Sequence, residues 1–241
     1  MYKKGKTSRL MASPYLAWAF IFILVPLGMI FYYGFTNEAG SFTLQNISYI
    51  IQPAYFKSLL LAFELGIVST VVCFLLAYPL CMILADMKLG HHEFILTLFI
   101  LPMWMNFLLR TLTWMTLLER KGVLNDILSV LHLPPVYIIN TPAAIVIGMV
   151  YNFLPFMILP IYNSLSKIDD NVINAARALG ASSFQTFLRV TLPLSVPGII
   201  SGITMVFIPA LTTFAISSML GGSKVLLIGN VIEQEFTVAY D

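Results

Sequence analysis

The sequence predicts an all-α, polytopic membrane protein with five transmembrane helices. Hydrophobic residues make up 59% of the chain and charged residues only 10%, whereas charged residues are roughly a quarter of an ordinary soluble domain. Four stretches contain no Asp, Glu, Lys or Arg: residues 10–37, 65–85, 94–109 and 190–223. Because a bilayer core requires about 20 apolar residues per helix, these stretches indicate membrane spans.

The first span is predicted at residues 15–35. It follows a cluster of four basic residues, Lys3, Lys4, Lys6 and Arg9. It contains Pro26, which a membrane helix tolerates as a kink. A cleaved signal peptide is the alternative, but the apolar stretch exceeds the ~7 to 15 residues of a signal core, and no small-residue cleavage site follows it. We therefore expect a permanent membrane anchor.

Four further spans are predicted from apolar length at residues 58–85, 94–118, 143–165 and 197–220. Lys and Arg set the orientation, because they accumulate in cytoplasmic loops. With the N-terminus inside, the cytoplasmic segments hold Lys3, Lys4, Lys6, Arg9, Lys88, Lys167, Arg177 and Arg189. The opposite side holds only Lys57, Arg120, Lys121 and Lys224. The sequence therefore predicts a cytoplasmic N-terminus.

Five spans from a cytoplasmic N-terminus leave Asp241 on the outer side of the membrane. The polar stretch at residues 233–241 is of the kind that precedes a returning span. We therefore expect a sixth helix beyond the sequence, with residues 1–241 forming a single transmembrane domain.

The loop at residues 166–196 predicts two helices joined by a sharp turn, which we call the elbow. Asp169 and Asp170 suit the N-terminus of the first helix, and Gly180 suits the position just after its C-terminus. Ser182 and Gln185 have the spacing of a capping box and begin a second helix. We expect this second helix to end before Pro193.

The first helix of the elbow is predicted to be amphipathic. Helical spacing places four apolar side chains on one face: Val172, Ala175, Ala176 and Leu179. Asn171, Asn174 and Arg177 then point elsewhere. An elbow with a small apolar face, held against the membrane, suits a groove on a soluble partner.

The elbow resembles the EAA loop of ABC importer permeases, in which Glu-Ala-Ala is followed by three residues, Gly, nine residues, Ile, one residue and Leu-Pro. The spacing matches from residue 174 to Pro193. Asn174 replaces the usual Glu, which puts one contact with an arginine of the ATPase in doubt, and Val190 replaces the usual Ile. The resemblance implies a type I permease with six spans, both ends inside, and a loop that docks on an ATPase.

The resemblance also implies the docking residues and the partners. The residues expected to contact the ATPase are Asn174, Ala175, Ala176, Arg177, Leu179 and Gly180. The expected partners are an ABC ATPase dimer, a second homologous permease, an extracytoplasmic polyamine-binding protein and membrane lipid in a bacterial inner membrane. With a net charge of only +2, no nucleic-acid partner is expected. We also expect no metal or cofactor on this chain.

Four other stretches resemble the permeases that carry spermidine and putrescine. They are residues 101–110, 119–125, 147–157 and 220–230. Permeases for iron, sulfate or phosphate share the architecture and stay the alternative. A stand-alone channel or a membrane scaffold is a second alternative, which the elbow disfavours. The chain contains no P-loop, His-Glu metal pair or serine elbow, so we do not expect an enzyme.

Two charged residues fall inside the predicted spans. Glu64 and Arg110 both fall in the outer half of the membrane core. An ionised side chain near the bilayer centre costs about 2.5 to 3.5 kcal/mol. Either the two side chains form a buried ion pair that fixes spans two and three, or Glu64 contacts a cationic cargo.

Overall fold

The structure is a computed structural model, and it describes residues 6–37, 40–87 and 91–238. This part contains no β-strand, only an isolated β-bridge between Thr36 and Phe42. The α-helices are α1 (Lys6–Ala19), α2 (Val25–Gly34), α3 (Gln45–Ile50), α4 (Pro53–Asp86), α5 (His91–Ile100), α6 (Phe107–Leu118), α7 (Val123–Val130), α8 (Pro142–Leu165), α9 (Asp170–Ala178), α10 (Ser183–Thr186), α11 (Leu192–Thr212), α12 (Ala215–Gly221) and α13 (Ile228–Val238).

Four helical segments of the described chain are long and apolar enough to cross a membrane. They are Ser13–Gly34, Pro53–Asp86, Pro142–Leu165 and Ser183–Thr212. A bent pair, Phe94–Trp104 and Phe107–Val130, makes a fifth if it is counted as one crossing. The predicted all-α membrane fold is therefore confirmed.

The chain divides into two compact units, Met1–Phe56 and Lys57–Asp241. The single domain expected over residues 1–241 stays a prediction. In the first unit, a membrane-length helix at Ser13–Gly34 confirms the first predicted span. None of the described side chains in this unit is buried. Such exposure is expected of an apolar helix that is solvated by lipid.

The predicted kink at Pro26 takes the form of a π-helical stretch. The helix adopts π geometry over Phe20–Leu24, immediately before α2. Because proline has no backbone N–H, Pro26 cannot donate to the carbonyl four residues earlier. The π turn accommodates this missing hydrogen bond and keeps the helix continuous.

The second and fourth predicted spans correspond to α4 and α8. Helix α4 begins at Pro53, five residues before the predicted start, and continues through Pro79 to Asp86. Helix α8 begins after Thr141, whose hydroxyl accepts a hydrogen bond from the N–H of Ala144, and it runs through two internal prolines. The internal prolines therefore leave α4 and α8 continuous.

The third predicted span, residues 94–118, is wrong as a single straight helix. Helix α5 passes into a 3₁₀ stretch at Leu101–Trp104, Met105 is extended, and α6 then begins at Phe107. The two halves are bent by 93°. Pro102 cannot donate within the helix, and the Asn106 side chain accepts from the N–H of Leu108 at 2.8 Å. Asn106 thus caps a new helix in a new direction.

The fifth predicted span, residues 197–220, is also wrong in its bounds. The helix starts at Ser183 and continues without interruption to Thr212. Pro193 does not end it, because a π stretch at Phe187–Thr191 comes just before and absorbs the missing hydrogen bond. Instead the helix ends where Thr213 adopts an extended backbone with ψ of 135°.

The side chain of Asn230 holds this second break together. Its Nδ2 donates to the Phe214 carbonyl at 3.1 Å and to the Ser218 hydroxyl at 2.7 Å. Its Oδ1 accepts from Ser217 and from the N–H of Leu227. Asn230 is buried, and these bonds satisfy polar groups that would otherwise be costly in an apolar setting.

Close packing of α8 against α11 forms the centre of the second unit. A Cβ atom added to Gly198 would lie 2.5 Å from the Pro160 carbonyl oxygen, and one added to Gly202 would lie 2.8 Å from the Met157 sulfur. The two helices approach this closely because glycine has no side chain at the contact. Small residues on α11 therefore permit the helix pair that positions the elbow.

Some predictions fall outside the described residues. The orientation rests in part on Lys3, Lys4 and Lys88, and the outer location of the chain end rests on Asp241; all four residues lie outside residues 6–37, 40–87 and 91–238. The cytoplasmic location of the N-terminus therefore stays a prediction.

Candidate functional site

The first helix of the elbow, α9, has a well-defined beginning and end. Its N-terminus is capped by Asp169, whose carboxylate accepts from the N–H of Asn171 at 2.9 Å. At its C-terminus, Gly180 has a left-handed φ of +87°. The N–H of Gly180 donates to the Arg177 carbonyl, and that of Ala181 donates to the Ala176 carbonyl. This pair of bonds is a Schellman motif, and it turns the chain sharply.

The second helix of the elbow continues directly into the membrane. The N–H of Ser182 donates to the Gln185 side chain at 2.9 Å, and the N–H of Gln185 donates to the Ser182 hydroxyl at 3.3 Å. The predicted capping box is therefore confirmed. From Ser183 the helix runs without a break to Thr212. The second helix of the elbow and this membrane span are thus one continuous helix.

The outward face of α9 is apolar and uncovered. Val172 is 45% exposed and Leu179 is 89% exposed, and Ala175 is exposed between them. The side chain of Phe184, on α10, is 69% exposed. Because each residue advances about 100° around a helix, Val172, Ala175 and Leu179 share one face. We call these three residues the docking face.

The opposite face of α9 lines a cavity of about 830 Å³, which we call the elbow cavity. Asp170, Ile173, Asn174 and Arg177 form the α9 wall. The other walls come from the C-terminal ends of α4 and α8 and from α10 with the π stretch that follows. Both faces of α9 are thus accessible, and they differ in chemistry: one is apolar and the other carries charge.

The six residues predicted to dock on an ATPase are divided between the docking face and the elbow cavity. Ala175 and Leu179 lie on the docking face, and Gly180 is exposed beside them with no atom within 4 Å of an added Cβ. Asn174 and Arg177 line the elbow cavity instead. Ala176 is half-buried between the two sides. The contact of each residue with an ATPase stays a prediction.

Glu64 and Arg110 do not form an ion pair in the described chain. The buried residues of α4, among them Ala62, Ser69 and Cys73, lie on one side of the helix. Glu64 is exposed on the opposite side. Arg110 is only 7% exposed, and its Nε and Nη1 have no hydrogen-bond partner. The bridge is absent because Glu64 projects away from the side of α4 that packs.

Glu64 instead interrupts an exposed apolar stripe on α4. The stripe consists of Leu60, Ile67, Val71 and Leu75, which are between 48% and 62% exposed. Neighbouring members of the stripe are four positions apart, or seven across Glu64, as expected for one side of a helix. A carboxylate on a lipid-facing stripe would be costly, so this side of α4 is suited to a polar path or to a partner.

Two residues of the elbow cavity were not identified from the sequence. Asp86 is the last residue of α4, and Thr186 is the last residue of α10. Both line the cavity although they are separated by 100 positions in the chain. No local motif marks either residue, because the cavity is formed only when the ends of distant helices meet.

Comparison with solved structures supports the fold. A bacterial ABC transporter involved in the import of the acidic polysaccharide alginate aligns with a TM-score of 0.79 and 18% identity, over 97% of this chain and 85% of that chain. The alginate ABC transporter in complex with a pentasaccharide-bound periplasmic protein aligns with a TM-score of 0.78 and 17% identity, over 97% and 84%. At this identity the likeness concerns the fold alone.

Several known proteins have a higher sequence identity to this chain than these two structures have. The spermidine/putrescine transport system permease protein PotB of Haemophilus influenzae is 36% identical, over 98% of this chain and 85% of the relative. The PotB protein of Escherichia coli K12 is 40% identical, over 91% and 82%. The PotB homolog of Mycoplasma pneumoniae is 32% identical, over 89% and 74%.

A family description, "Binding-protein-dependent transport system inner membrane component", matches residues 4–238. The match includes the membrane spans, the elbow and the breaks at Met105 and Thr213. It confirms the resemblance to ABC importer permeases that the spacing around Gly180 indicates, and it describes a transport protein rather than an enzyme. This chain belongs to the family of binding-protein-dependent transport system inner membrane components.

Proposed function

We propose that this chain is a permease subunit of an ATP-driven importer for polyamines such as spermidine and putrescine. The observation that carries the proposal is its identity of 36% and 40% to two proteins named as spermidine/putrescine permeases. Each match extends over more than nine-tenths of the chain. In the proposed assembly the chain works with an ABC ATPase dimer, a second permease and an extracytoplasmic polyamine-binding protein.

The elbow is the part of the chain through which ATP hydrolysis acts. In the proposed mechanism, a groove on the ATPase receives Val172, Ala175 and Leu179, which bury apolar surface on docking. Movement of the ATPase then displaces α9, and the rigid turn at Gly180 transmits the displacement to the helix that begins at Ser183. ATP binding biases the permease because it favours one arrangement of this connected unit over another.

The orientation of the chain in the membrane follows from the proposed contact between the elbow and the ATPase. The ATPase is cytoplasmic, so the elbow, with Lys167 and Arg189 near its ends, lies on the cytoplasmic side of the inner membrane. Helix α8 crosses the membrane between residues 120–121 and the elbow. Residues 120–121 therefore lie on the outer side. This arrangement agrees with the distribution of Lys and Arg in the sequence and gives a cytoplasmic N-terminus.

Glu64 is proposed to contact the cargo. A polyamine is a chain of ammonium groups joined by methylenes, and a carboxylate surrounded by apolar side chains complements both parts. The flanking Leu60 and Ile67 are 53% and 52% exposed and can contact the methylenes. Arg110 is turned into the protein and buried, which keeps its charge away from a cationic cargo.

Transport by the assembled importer tests the cargo. The permease, its partner subunits and the binding protein are reconstituted in proteoliposomes, and uptake of labelled spermidine is measured with and without ATP. We expect ATP-dependent uptake that unlabelled putrescine reduces and that sulfate, phosphate and ferric iron do not. Uptake of one of these inorganic ions, with none of spermidine, would contradict the proposed cargo.

Substitution of Gly180 tests the coupling. Gly180→Pro removes the N–H that bonds the Arg177 carbonyl at 3.0 Å. It also forces φ to about −65°, far from the observed +87°. We expect it to weaken ATPase association by roughly 5- to 150-fold, since strained backbone costs about 1 to 3 kcal/mol. The measurement is ATPase binding to the purified, membrane-inserted permease.

The matched control is Gly180→Asn. Asparagine tolerates the left-handed conformation, and an added Cβ at this position has nothing within 4 Å. We expect this variant to bind the ATPase nearly as wild type does. Normal ATPase association of Gly180→Pro would count against the elbow as the coupling element.

Substitution of Glu64 tests the cargo path. We expect Glu64→Gln to leave the melting temperature unchanged, because Glu64 has no ion-pair partner in the described chain. It should raise the KM for spermidine uptake by roughly tenfold, because glutamine keeps an acceptor oxygen but lacks the negative charge that strengthens a hydrogen bond from an ammonium group. Glu64→Asp, which keeps the charge, should recover most of the affinity.

The double variant Glu64→Gln with Arg110→Met separates this role from an ion pair. We expect a coupling energy within error of zero in the melting temperatures and no rescue of uptake. Restoration of stability or of transport by the second substitution would show that the two charges pair during the transport cycle.

A further inference from the structure

Tyr78 lies on α4, the helix that carries Glu64, and it contacts the helix Ser183–Thr212, which we call the elbow span. We propose that Tyr78 is a positioning residue that passes displacement of the elbow to α4 during import, a role that rests on the function proposed above. Tyr78 is 14 positions after Glu64, or about 21 Å along the helix. It therefore acts on α4 and does not touch a cargo held at Glu64.

The Tyr78 hydroxyl makes a hydrogen bond across the interface between the two helices. Its oxygen lies 2.9 Å from the Oγ of Ser195, and the Ser195 hydroxyl donates to the Leu192 carbonyl, also at 2.9 Å. Because a serine hydroxyl has one hydrogen and a carbonyl can only accept, Tyr78 is the donor to Ser195. Both side chains are buried, so the bond is shielded from solvent and is stronger than it would be in water.

The ring of Tyr78 contacts the elbow span at a second point, closer to the elbow. Its centroid lies 6.0 Å from that of Phe187, and the two rings meet edge to face at 73°, a favourable arrangement for aromatic pairs. Phe187 is the first residue of the π stretch, and Ser195 lies four residues after the last, Thr191. Tyr78 thus contacts the elbow span at the beginning of the π stretch and beyond its end.

The part of the elbow span that Tyr78 brackets is irregular. Pro193 and Pro197 have no N–H, so neither can donate to the carbonyl four residues before it. The π stretch at Phe187–Thr191 has a wider turn than an α-helix, and such stretches are frequent at functional sites. Prolines and π turns are the usual places where helices bend. Contacts on both sides of this region direct a displacement of the elbow to α4, where it would otherwise bend the elbow span.

A second contact joins α4 to the elbow span beside Glu64. The rings of Phe63 and Phe207 are 5.9 Å apart, and a Cβ added to Gly66 would lie 3.4 Å from the Phe207 ring. This contact is apolar, and apolar contacts are not directional, so it permits one helix to slide on the other. The bond from Tyr78 opposes sliding, because it has fixed partners. We therefore expect α4, with Glu64, to move together with the elbow span.

The strength of the Tyr78 bond sets the size of the expected effect. Sliding of α4 along the elbow span breaks the bond, and a hydrogen bond between neutral groups makes such a broken state roughly two- to tenfold less frequent. An ATPase cycle in which the helices slide hydrolyses ATP without moving Glu64. Loss of the bond should therefore lower the amount of spermidine imported per ATP.

Tyr78→Phe in the complete importer tests this role. Initial spermidine uptake and ATP hydrolysis are measured together in proteoliposomes. We expect uptake per ATP to fall by roughly two- to tenfold, while the KM for spermidine and ATPase association match the wild type, because Glu64 and the docking face are unchanged. The melting temperature should change little, because the Ser195 hydroxyl keeps its bond to the Leu192 carbonyl.

Ser195→Ala separates coupling from stability. It leaves the buried Tyr78 hydroxyl without its partner, so it should lower the melting temperature more than Tyr78→Phe does. The double variant removes both hydroxyls and should recover the melting temperature of Tyr78→Phe, but not the uptake per ATP. A merely structural role would instead make uptake per ATP follow the melting temperature across the three variants.

Thr204→Val is the matched control. The Thr204 hydroxyl is exposed and donates to the Ile200 carbonyl within α11 at 2.8 Å, so its removal should leave uptake per ATP unchanged. Wild-type uptake per ATP in Tyr78→Phe would overturn the proposal, and so would a ratio that follows the melting temperature. Absence of ATP-dependent spermidine uptake by the wild type would instead overturn the proposed function, on which this role rests.

Discussion

The left-handed turn at Gly180 is the constraint on which the coupling account depends. A φ of +87° is available to glycine at no steric cost. It allows α9 to end in a Schellman motif while α10 starts at Ser183, three residues after Gly180. The turn fixes the direction of α9 relative to the span that begins at Ser183. As a result, α9 presents Leu179 outward and Arg177 inward at the same time.

The bilayer imposes a second constraint, which governs where the helices break. Backbone groups in an apolar solvent must find hydrogen-bond partners within the protein. At both breaks of the described chain an asparagine provides them: Asn106 accepts from the first turn of α6, and Asn230 bonds the Phe214 carbonyl. These side chains permit changes of direction that an uninterrupted apolar helix would not allow.

Much of the fold could be predicted from the sequence because composition and apolar length act locally. The spans at α4 and α8 and the capping box at Ser182 depend only on nearby residues, and the structure confirms them. The prediction that the second helix of the elbow ends before Pro193 was wrong, because a π stretch with no clear sequence signal keeps the helix continuous.

The candidate site was predicted less completely, for reasons of geometry. Helical spacing alone places Val172, Ala175 and Leu179 on one face of α9, so this face could be predicted from the sequence. The elbow cavity could not be predicted in this way, since Asp86 and Thr186 meet only through the packing of distant helices. The sequence left two alternatives open for Glu64 and Arg110, because similar depth does not determine which side of a helix faces a partner.

Site-specific cross-linking tests most directly the claim that the two faces of α9 have different partners. A thiol-directed cross-linker is attached to Leu179→Cys or, separately, to Ile173→Cys in the assembled importer. The native Cys73 and Cys81 are fully buried and should not react. The account predicts that position 179 cross-links to the ATPase and that position 173 cross-links within the permease. Cross-linking of position 173 to the ATPase, with none from position 179, would contradict it.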